Sequence, residues 1–236
     1  MAGFSYYKDV DNYAKLAYYY DHLLSDEESL KYWLKYIESY CKGRDVLELA
    51  SGSGVMAKKL NELGYNVIAS DISKDMKEAA KENFDGEYLI LNMIDFNLDK
   101  KFDLILCMVD SMNYLNSYDE MTKMFKNVYN HLNDGGVFIF DMHHKERLNE
   151  FEDEYIEEGY IDGRIPYQWT IQSDKVNNCL YERFIFYEDD GIIQEHHTQH
   201  IFDDLKTKEL LNECNYNAIL IDDFIEEEKV LLIGVK

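Results

Sequence analysis

Apolar positions along the chain follow two patterns that alternate between residues 25 and 141. One is a short apolar run of strand length, and the other repeats every three to four residues, as one face of a helix does. Five runs of the first kind begin near Asp45, Val67, Tyr88, Leu104 and Gly136. Helical spacing follows several of them, for example at Met56, Leu60 and Leu63. Strands that alternate with helices of this length predict an α/β fold with a doubly wound, mostly parallel sheet.

The pattern changes after about residue 145. Four strand-like stretches then follow one another at residues 155–162, 167–173, 180–187 and 192–202. No helical spacing separates them, so we expect an antiparallel meander with no helix in it.

A helix at 207–214 and strands at 218–224 and 230–235 then rejoin the main fold. We therefore predict one main domain, made of residues 1–144 together with 206–236. Residues 145–205 are predicted to form a small antiparallel β insert after the fifth strand.

The charge of the chain narrows the function classes. Its 236 residues contain 24 Lys and Arg against 47 Asp and Glu, a formal net charge of −23. Such a surface disfavours nucleic acid and anionic membranes as partners. The 46% of hydrophobic residues indicates a folded core despite this charge. Four scattered cysteines, without a leader or a long apolar run, favour a soluble cytoplasmic protein with reduced thiols.

Candidate chemistry gathers where the predicted strands end, which is where ligands bind in a doubly wound sheet. The first strand runs through Glu48 into a turn of small residues at Ala50, Gly52 and Gly54. Small residues there let backbone N–H groups approach a ligand at the following helix N-terminus. Three further strand ends carry polar residues: Asp71, Asp95 and the cluster from Asp110 to Tyr114. Together these features favour a nucleoside site.

The same residues resemble class I S-adenosylmethionine-dependent methyltransferases. The resemblance rests on the run at 46–54, the acids at 71 and 95 and the pattern at 102–115, with Ala50 where the family usually has glycine. It covers residues 13–142, resumes in the last strands, and implies a seven-stranded sheet. The N-terminal segment at 13–21 is similar to that of a small-molecule branch containing sugar-amine and glycine N-methyltransferases, which carries an insert after the fifth strand.

The resemblance also implies roles for individual residues. Glu48 would lie near the methionine amino group, Asp71 would bind the ribose, and Asp95 would bind the adenine amine. The other implied cofactor contacts are Ala50, Gly52, Gly54, Ile72, Met76, Met93, Cys107, Tyr13 and Tyr20. The insert would cover the methyl acceptor.

Methyl transfer from a sulfonium needs an aligned acceptor, a dry crevice and removal of one proton. The candidates for orienting the acceptor are Tyr13, Tyr20, Asp110, Asn113 and His143. If residues 10–22 are helical, Tyr13 and Tyr20 share one helix face. We expect no metal site, because alternation places His196 and His197 on opposite sides of a strand.

Three alternatives stay open at this point. An NAD-dependent oxidoreductase would also have an acid after its second strand, although G-x-G-x-x-G and Tyr-x-x-x-Lys are both absent. A non-catalytic binding module would keep the pocket without the reaction. A protein-substrate methyltransferase would use the same fold. The acceptor, the choice between N and O methylation and the oligomeric state are not predicted.

Overall fold

The computed structural model describes residues 7–9, 13–23, 27–189, 191–224 and 228–236. The described helices are α1 (Leu16–Leu23), α2 (Glu27–Tyr40), α3 (Val55–Glu62), α4 (Lys74–Ala79), α5 (Tyr118–His131), α6 (Arg147–Glu150) and α7 (Asp204–Glu213). The described strands are β1 (Tyr7–Asp9), β2 (Asp45–Leu49), β3 (Asn66–Asp71), β4 (Glu87–Ile90), β5 (Phe102–Cys107), β6 (Leu132–His143), β7 (Tyr155–Ile161), β8 (Ile165–Asp174), β9 (Cys179–Glu188), β10 (Gly191–His200), β11 (Asn217–Phe224) and β12 (Lys229–Val235). None of the described helices is both long and apolar enough to cross a membrane.

Seven strands form the main sheet, in the order β11-β12-β6-β5-β2-β3-β4. Only the pairs of β12 with β11 and with β6 are antiparallel. Central strands such as β2 and β5 are buried nearly throughout, which their apolar runs require of a sheet covered on both faces. The predicted α/β fold with a mostly parallel seven-stranded sheet is confirmed.

The insert forms a second sheet in which β7, β8, β9 and β10 pair antiparallel in sequence order. This confirms the predicted antiparallel insert after the fifth strand. The N-terminal strand β1 adds to the same sheet by pairing parallel to β10.

The expectation of no helix in the insert region is wrong. The one-turn helix α6 precedes β7. It packs on the end of the sheet, because the Ser173 hydroxyl on β8 donates a hydrogen bond to the Leu148 carbonyl at 2.8 Å. The Phe151 carbonyl in turn accepts a hydrogen bond from the Ser173 N–H on β8. Four residues were too few to give a helical pattern in the sequence.

Polar contacts join the two sheets where β5 and β6 end. The Asn113 amide donates to the His200 carbonyl at 2.7 Å, and His143 Nε2 lies 2.7 Å from Gln199 Oε1. These bonds hold β10 beside the carboxyl ends of the main sheet, where the candidate residues cluster.

Candidate functional site

The turn after β2 is shaped by three left-handed residues. Ala50, Gly52 and Gly54 have φ of 51°, 56° and 79°. Glycine adopts this region at no steric cost, whereas Ala50 is held there at a cost of about 1 kcal/mol. The Tyr88 phenol donates to the Gly52 carbonyl at 2.6 Å and fixes the turn from β4. The result is a tight loop of backbone that leads directly into α3.

Glu48 lies at the end of β2, beneath this turn. Its side chain is buried and accepts a hydrogen bond of 2.7 Å from the Ser51 hydroxyl. Burial, together with the neighbouring Asp71 carboxylate, raises the pKa of the Glu48 carboxyl to about 8. Among the described residues, no Lys or Arg pairs with Glu48. The site therefore contains a buried carboxyl group that a cationic ligand group would neutralise.

Glu48→Gln is expected to stabilise the ligand-free protein, and the gain should grow with pH. A carboxyl whose pKa is raised on folding is protonated in the folded state between pH 4.5 and 8, so wild type loses stability as pH rises through that window. Glutamine does not titrate. We expect a gain on the order of 2–4 kcal/mol at pH 9 and much less at pH 5, measured by urea unfolding.

The control is Glu38→Gln on the exposed face of α2, which we expect to change stability by less than about 0.5 kcal/mol. A gain for Glu48→Gln that is equal at pH 5 and pH 9 would contradict the raised pKa.

Asp71 ends β3 and faces the same turn. Its carboxylate accepts hydrogen bonds from the Gly52 N–H at 3.1 Å and from the Ser73 N–H at 2.8 Å. Burial raises the pKa of the Asp71 carboxyl above its usual value. Asp71 therefore links the turn after β2 to the start of α4.

The predicted adenine contacts occupy different environments. Ile72 is 67% exposed, whereas Met76 is 1% exposed and lies under the turn, where a Cβ added to Gly52 would meet its sulfur at 3.9 Å. Met93 is half-buried, and Cys107 is fully buried with its Sγ 3.9 Å from the Met93 sulfur. Asp95 is exposed in the turn that follows β4.

Backbone strain marks the end of β5. Val109 and Asp110 both have positive φ, 55° and 58°. A β-branched residue in this region is a rare conformation, and such strain clusters at functional sites. The strained pair turns the chain into the 3₁₀ turn at Ser111–Tyr114.

Asp110 belongs to a buried charge cluster that also contains Asp141, His143 and Lys229. The Lys229 ammonium donates to Asp110 at 2.8 Å and to Asp141 at 3.4 Å, and His143 Nδ1 lies 3.5 Å from Asp110. His143 and Lys229 hold the pKa of Asp110 below its usual value despite its burial. Burial raises the pKa of Asp141 to about 7 and lowers that of His143. This cluster ties the end of β5 to β6 and β12.

Asn113 is fully buried and both ends of its amide bond to backbone. Its oxygen accepts the His143 N–H at 3.0 Å, and its nitrogen donates to the His200 carbonyl. In this structure Asn113 therefore holds the two sheets together.

Tyr13 precedes α1 instead of lying on it, so the predicted shared helix face with Tyr20 is wrong. Its φ is 61°, and α1 begins only at Leu16. The helix starts there because the buried Glu195 carboxylate accepts the backbone N–H groups of Tyr13 at 3.0 Å and Leu16 at 2.8 Å, and that of Lys15. The side chain of Tyr20 lies outside the described part of the structure.

Sequence reasoning placed Tyr114 in the strand-end cluster that starts at Asp110, but it gave Tyr114 no role of its own and did not select His197 or Glu195 as site residues. The Tyr13 phenol donates to the Tyr114 oxygen at 2.7 Å, and that oxygen lies 2.9 Å from His197 Nδ1. These residues come from three separate parts of the chain, so no local motif predicts that they lie together. Within the described residues, no three of the His, Cys, Asp and Glu side chains form a group suited to a metal ion.

Comparison with known proteins shows which proteins this chain is similar to. Residues 46–136 match the family described as methyltransferase domain. YqeM of Bacillus subtilis (strain 168), which is named as a methyltransferase, is 28% identical over 227 residues, covering 92% of this chain and 91% of that protein. The crystal structure of an S-adenosylmethionine-dependent methyltransferase from Clostridium acetobutylicum ATCC 824 superimposes with a TM-score of 0.78 at 25% identity, over 94% of this chain and 98% of that one. Residues 46–136 are a methyltransferase domain, and the chain is an S-adenosylmethionine-dependent methyltransferase.

The methyltransferase also resembles an enzyme whose name states its substrate. This relative is the dTDP-4-amino-2,3,4,6-tetradeoxy-D-glucose N,N-dimethyltransferase of Saccharopolyspora spinosa. It is 22% identical over 196 residues, covering 79% of this chain and 73% of that enzyme. The match to a methyltransferase domain removes the NAD-dependent oxidoreductase as an interpretation of the acid at Asp71.

The turn after β2 suits S-adenosylmethionine as the cofactor. A Cβ added at Gly52 would meet no atom nearer than the Met76 sulfur at 3.9 Å, so the glycine leaves room beside the turn. The buried Glu48 carboxyl suits the methionine ammonium, because that cation would replace the solvent that burial has removed.

Proposed function

We propose that the methyltransferase transfers a methyl group to the amine nitrogen of a small cationic molecule. The observation that carries this proposal is the inner face of the insert sheet, which combines aromatic rings with carboxylates. Trp169 stacks on Phe184 with ring centres 5.3 Å apart, and its Nε1 donates to Glu182 at 3.0 Å. Rings and carboxylates together bind alkylammonium groups well.

The cofactor residues would be those of the first two strand ends. Glu48 would bind the methionine ammonium and Asp71 the ribose hydroxyls, while Ala50, Gly52 and Gly54 would line the backbone cradle. Ile72, Met76, Met93, Asp95 and Cys107 would surround the adenine. S-adenosylmethionine supplies an activated methyl group on its sulfonium, so the protein needs no nucleophile or metal of its own.

The acceptor would lie between the main sheet and the insert, with Tyr13 and Tyr114 over it. Glu182 is half-buried on β9, and burial raises the pKa of its carboxyl. A carboxyl in that environment favours a cationic partner. The insert adds to this preference, since residues 145–205 contain 16 acidic and 5 basic residues.

The negative charge of the insert narrows the choice of methyl acceptor further. The relative from Saccharopolyspora spinosa is named for a dTDP-linked amino sugar. A diphosphate would meet the acidic insert of this chain, and like charges at short range cost affinity. We therefore propose an amine without a phosphate, such as a free amino sugar.

The test is methyl transfer to matched acceptors, followed by S-adenosylhomocysteine formation and mass spectrometry of the products. The panel contains a free 4-amino-4-deoxy sugar, its 4-hydroxy counterpart, the dTDP-linked amino sugar and a basic peptide. We expect methylation of the free amine, with kcat/KM at least about tenfold above that of the dTDP-linked form. Equal use of the hydroxy sugar would contradict amine specificity, and exclusive use of the peptide would favour a protein substrate.

A further inference from the structure

Four side chains form a continuous hydrogen-bonded chain from the crevice into the insert sheet. Tyr13 Oη lies 2.7 Å from Tyr114 Oη, which lies 2.9 Å from His197 Nδ1, and His197 Nε2 lies 3.4 Å from Glu195 Oε2. The phenols are half-buried, whereas His197 and Glu195 are 1% and 0% exposed. Solvent exposure thus decreases along these four side chains, from the half-buried phenols to the buried His197 and Glu195.

The carboxylate fixes the direction of every bond in this chain. A carboxylate only accepts, so the proton of neutral His197 resides on Nε2 and Nδ1 is left as an acceptor. Tyr114 then donates to His197, and its oxygen receives the hydrogen bond from Tyr13. All three donors therefore point inward, toward Glu195.

The surroundings of His197 support this assignment. The titratable groups that face it are Tyr13, Tyr114, Glu195 and its cross-strand neighbour Glu182. The ring of Phe184 contacts its edge with centres 5.5 Å apart. The imidazole is therefore enclosed between a phenol on one side and carboxyl groups on the other.

We propose that Tyr13, Tyr114, His197 and Glu195 form a relay that removes the proton from the methyl acceptor. This step rests on the proposed amine function. One N–H bond of the acceptor breaks as its proton passes to Tyr13 Oη, while the Tyr13 proton moves to Tyr114 and the Tyr114 proton moves to His197 Nδ1. The imidazolium that results is stabilised by Glu195 and returns its proton to water after product release. Tyr13 is the member that touches the acceptor, and the other three act through it.

The same carboxylate caps α1, so the relay and the N-terminal segment share an anchor. Glu195 accepts the N–H groups of Tyr13 and Leu16 while it faces His197. Tyr13 is therefore placed at the crevice by the residue that ends the relay. This coupling explains why a buried carboxylate lies on the inner face of β10.

The first test needs no acceptor. Two-bond proton–nitrogen NMR of the full chain labelled at histidine, with His197→Gln to assign the signal, reports which ring nitrogen carries the proton. We expect the Nε2–H form in wild type and a mixture of the two tautomers in Glu195→Gln, because an amide accepts or donates. The Nδ1–H form in wild type would overturn the relay.

The second test is the pH dependence of kcat with whichever panel acceptor is methylated. Tyr114→Phe keeps the ring and removes the relay, so we expect kcat to fall on the order of 100-fold with KM nearly unchanged. In wild type kcat should depend on pH, because the relay acts as a general base, and the variant should lose that dependence. His196→Gln, on the exposed face of the same strand, is the control and should behave as wild type.

The outcomes separate the relay from the proposed function. Wild-type kcat in Tyr114→Phe overturns the relay and leaves amine methylation standing. Methylation of the hydroxy sugar alone, with kcat still lost in Tyr114→Phe, overturns the amine proposal and supports the relay. A uniform loss at every pH, with the pH dependence of wild type retained, would reduce Tyr114 to a packing residue and also overturn the relay.

Discussion

Asp71→Ala is expected to weaken S-adenosylmethionine binding about 10- to 100-fold. The proposed contacts are two charge-assisted hydrogen bonds from the ribose hydroxyls, and bonds of this kind contribute about 1.5–3 kcal/mol. The variant also frees the Gly52 and Ser73 N–H groups that the carboxylate now holds, so the turn after β2 loses an anchor. Isothermal titration calorimetry measures the affinity directly.

Two controls make that measurement specific. Glu78→Ala removes an exposed carboxylate from α4 and should bind the cofactor as wild type does. NAD titrated into wild type should give no heat, since the dinucleotide interpretation has been set aside. Wild-type affinity in Asp71→Ala would show that the ribose lies elsewhere.

The turn after β2 and the acids around it, which form the proposed cofactor site, were predictable because these residues are local in sequence. A strand, a turn of small residues and a helix fix the positions of Glu48 and Gly52 within a few residues of each other. Asp71 follows from the same logic one strand later. Parallel strands align their carboxyl ends, so neighbouring motifs meet without any knowledge of distant contacts.

The proposed acceptor site depends on contacts between distant parts of the chain. Tyr114 and His197 are 83 residues apart, and Tyr13 and Glu195 are 182 apart. No periodicity encodes such pairs. The start of α1 could not be predicted for the same reason. The carboxylate that caps the helix is that of Glu195, which lies on β10 in the insert, and it places the first helical residue at Leu16.

The charge cluster beneath the crevice was also missed, for a related reason. Sequence reasoning selected Asp110 and His143 from strand ends, yet Lys229 comes from the last strand and Asp141 from the middle of an apolar run. The antiparallel pairing of β12 with β6 brings Lys229 beside His143. An Asp within a buried strand is itself a signal, since an isolated buried carboxyl requires a partner.

Lys229→Met is expected to destabilise the protein by about 3–5 kcal/mol at pH 8. Removing one partner of a buried ion pair leaves the other charge uncompensated, and here two carboxylates, Asp110 and Asp141, lose their shared cation. The control is Lys100→Met, which breaks a surface pair with Asp45 and should cost less than about 1 kcal/mol. Urea unfolding at fixed pH gives both values.

The loss of stability in Lys229→Met should increase with pH. The folded pKa of Asp141 is about 7, above its unfolded value, so its carboxyl favours folding below pH 4 and loses that contribution as pH rises toward 7. Lys229 lowers the pKa of Asp141. Removing Lys229 therefore raises that pKa and moves the loss of stability to higher pH. The cost of Lys229→Met should therefore be smaller at pH 6 than at pH 8, and Asp141→Asn in the same chain should recover more than half of it. A cost that is independent of pH, with no recovery in the double variant, would mean that Lys229 acts through packing against Trp33, whose ring centre lies 5.7 Å from the ammonium.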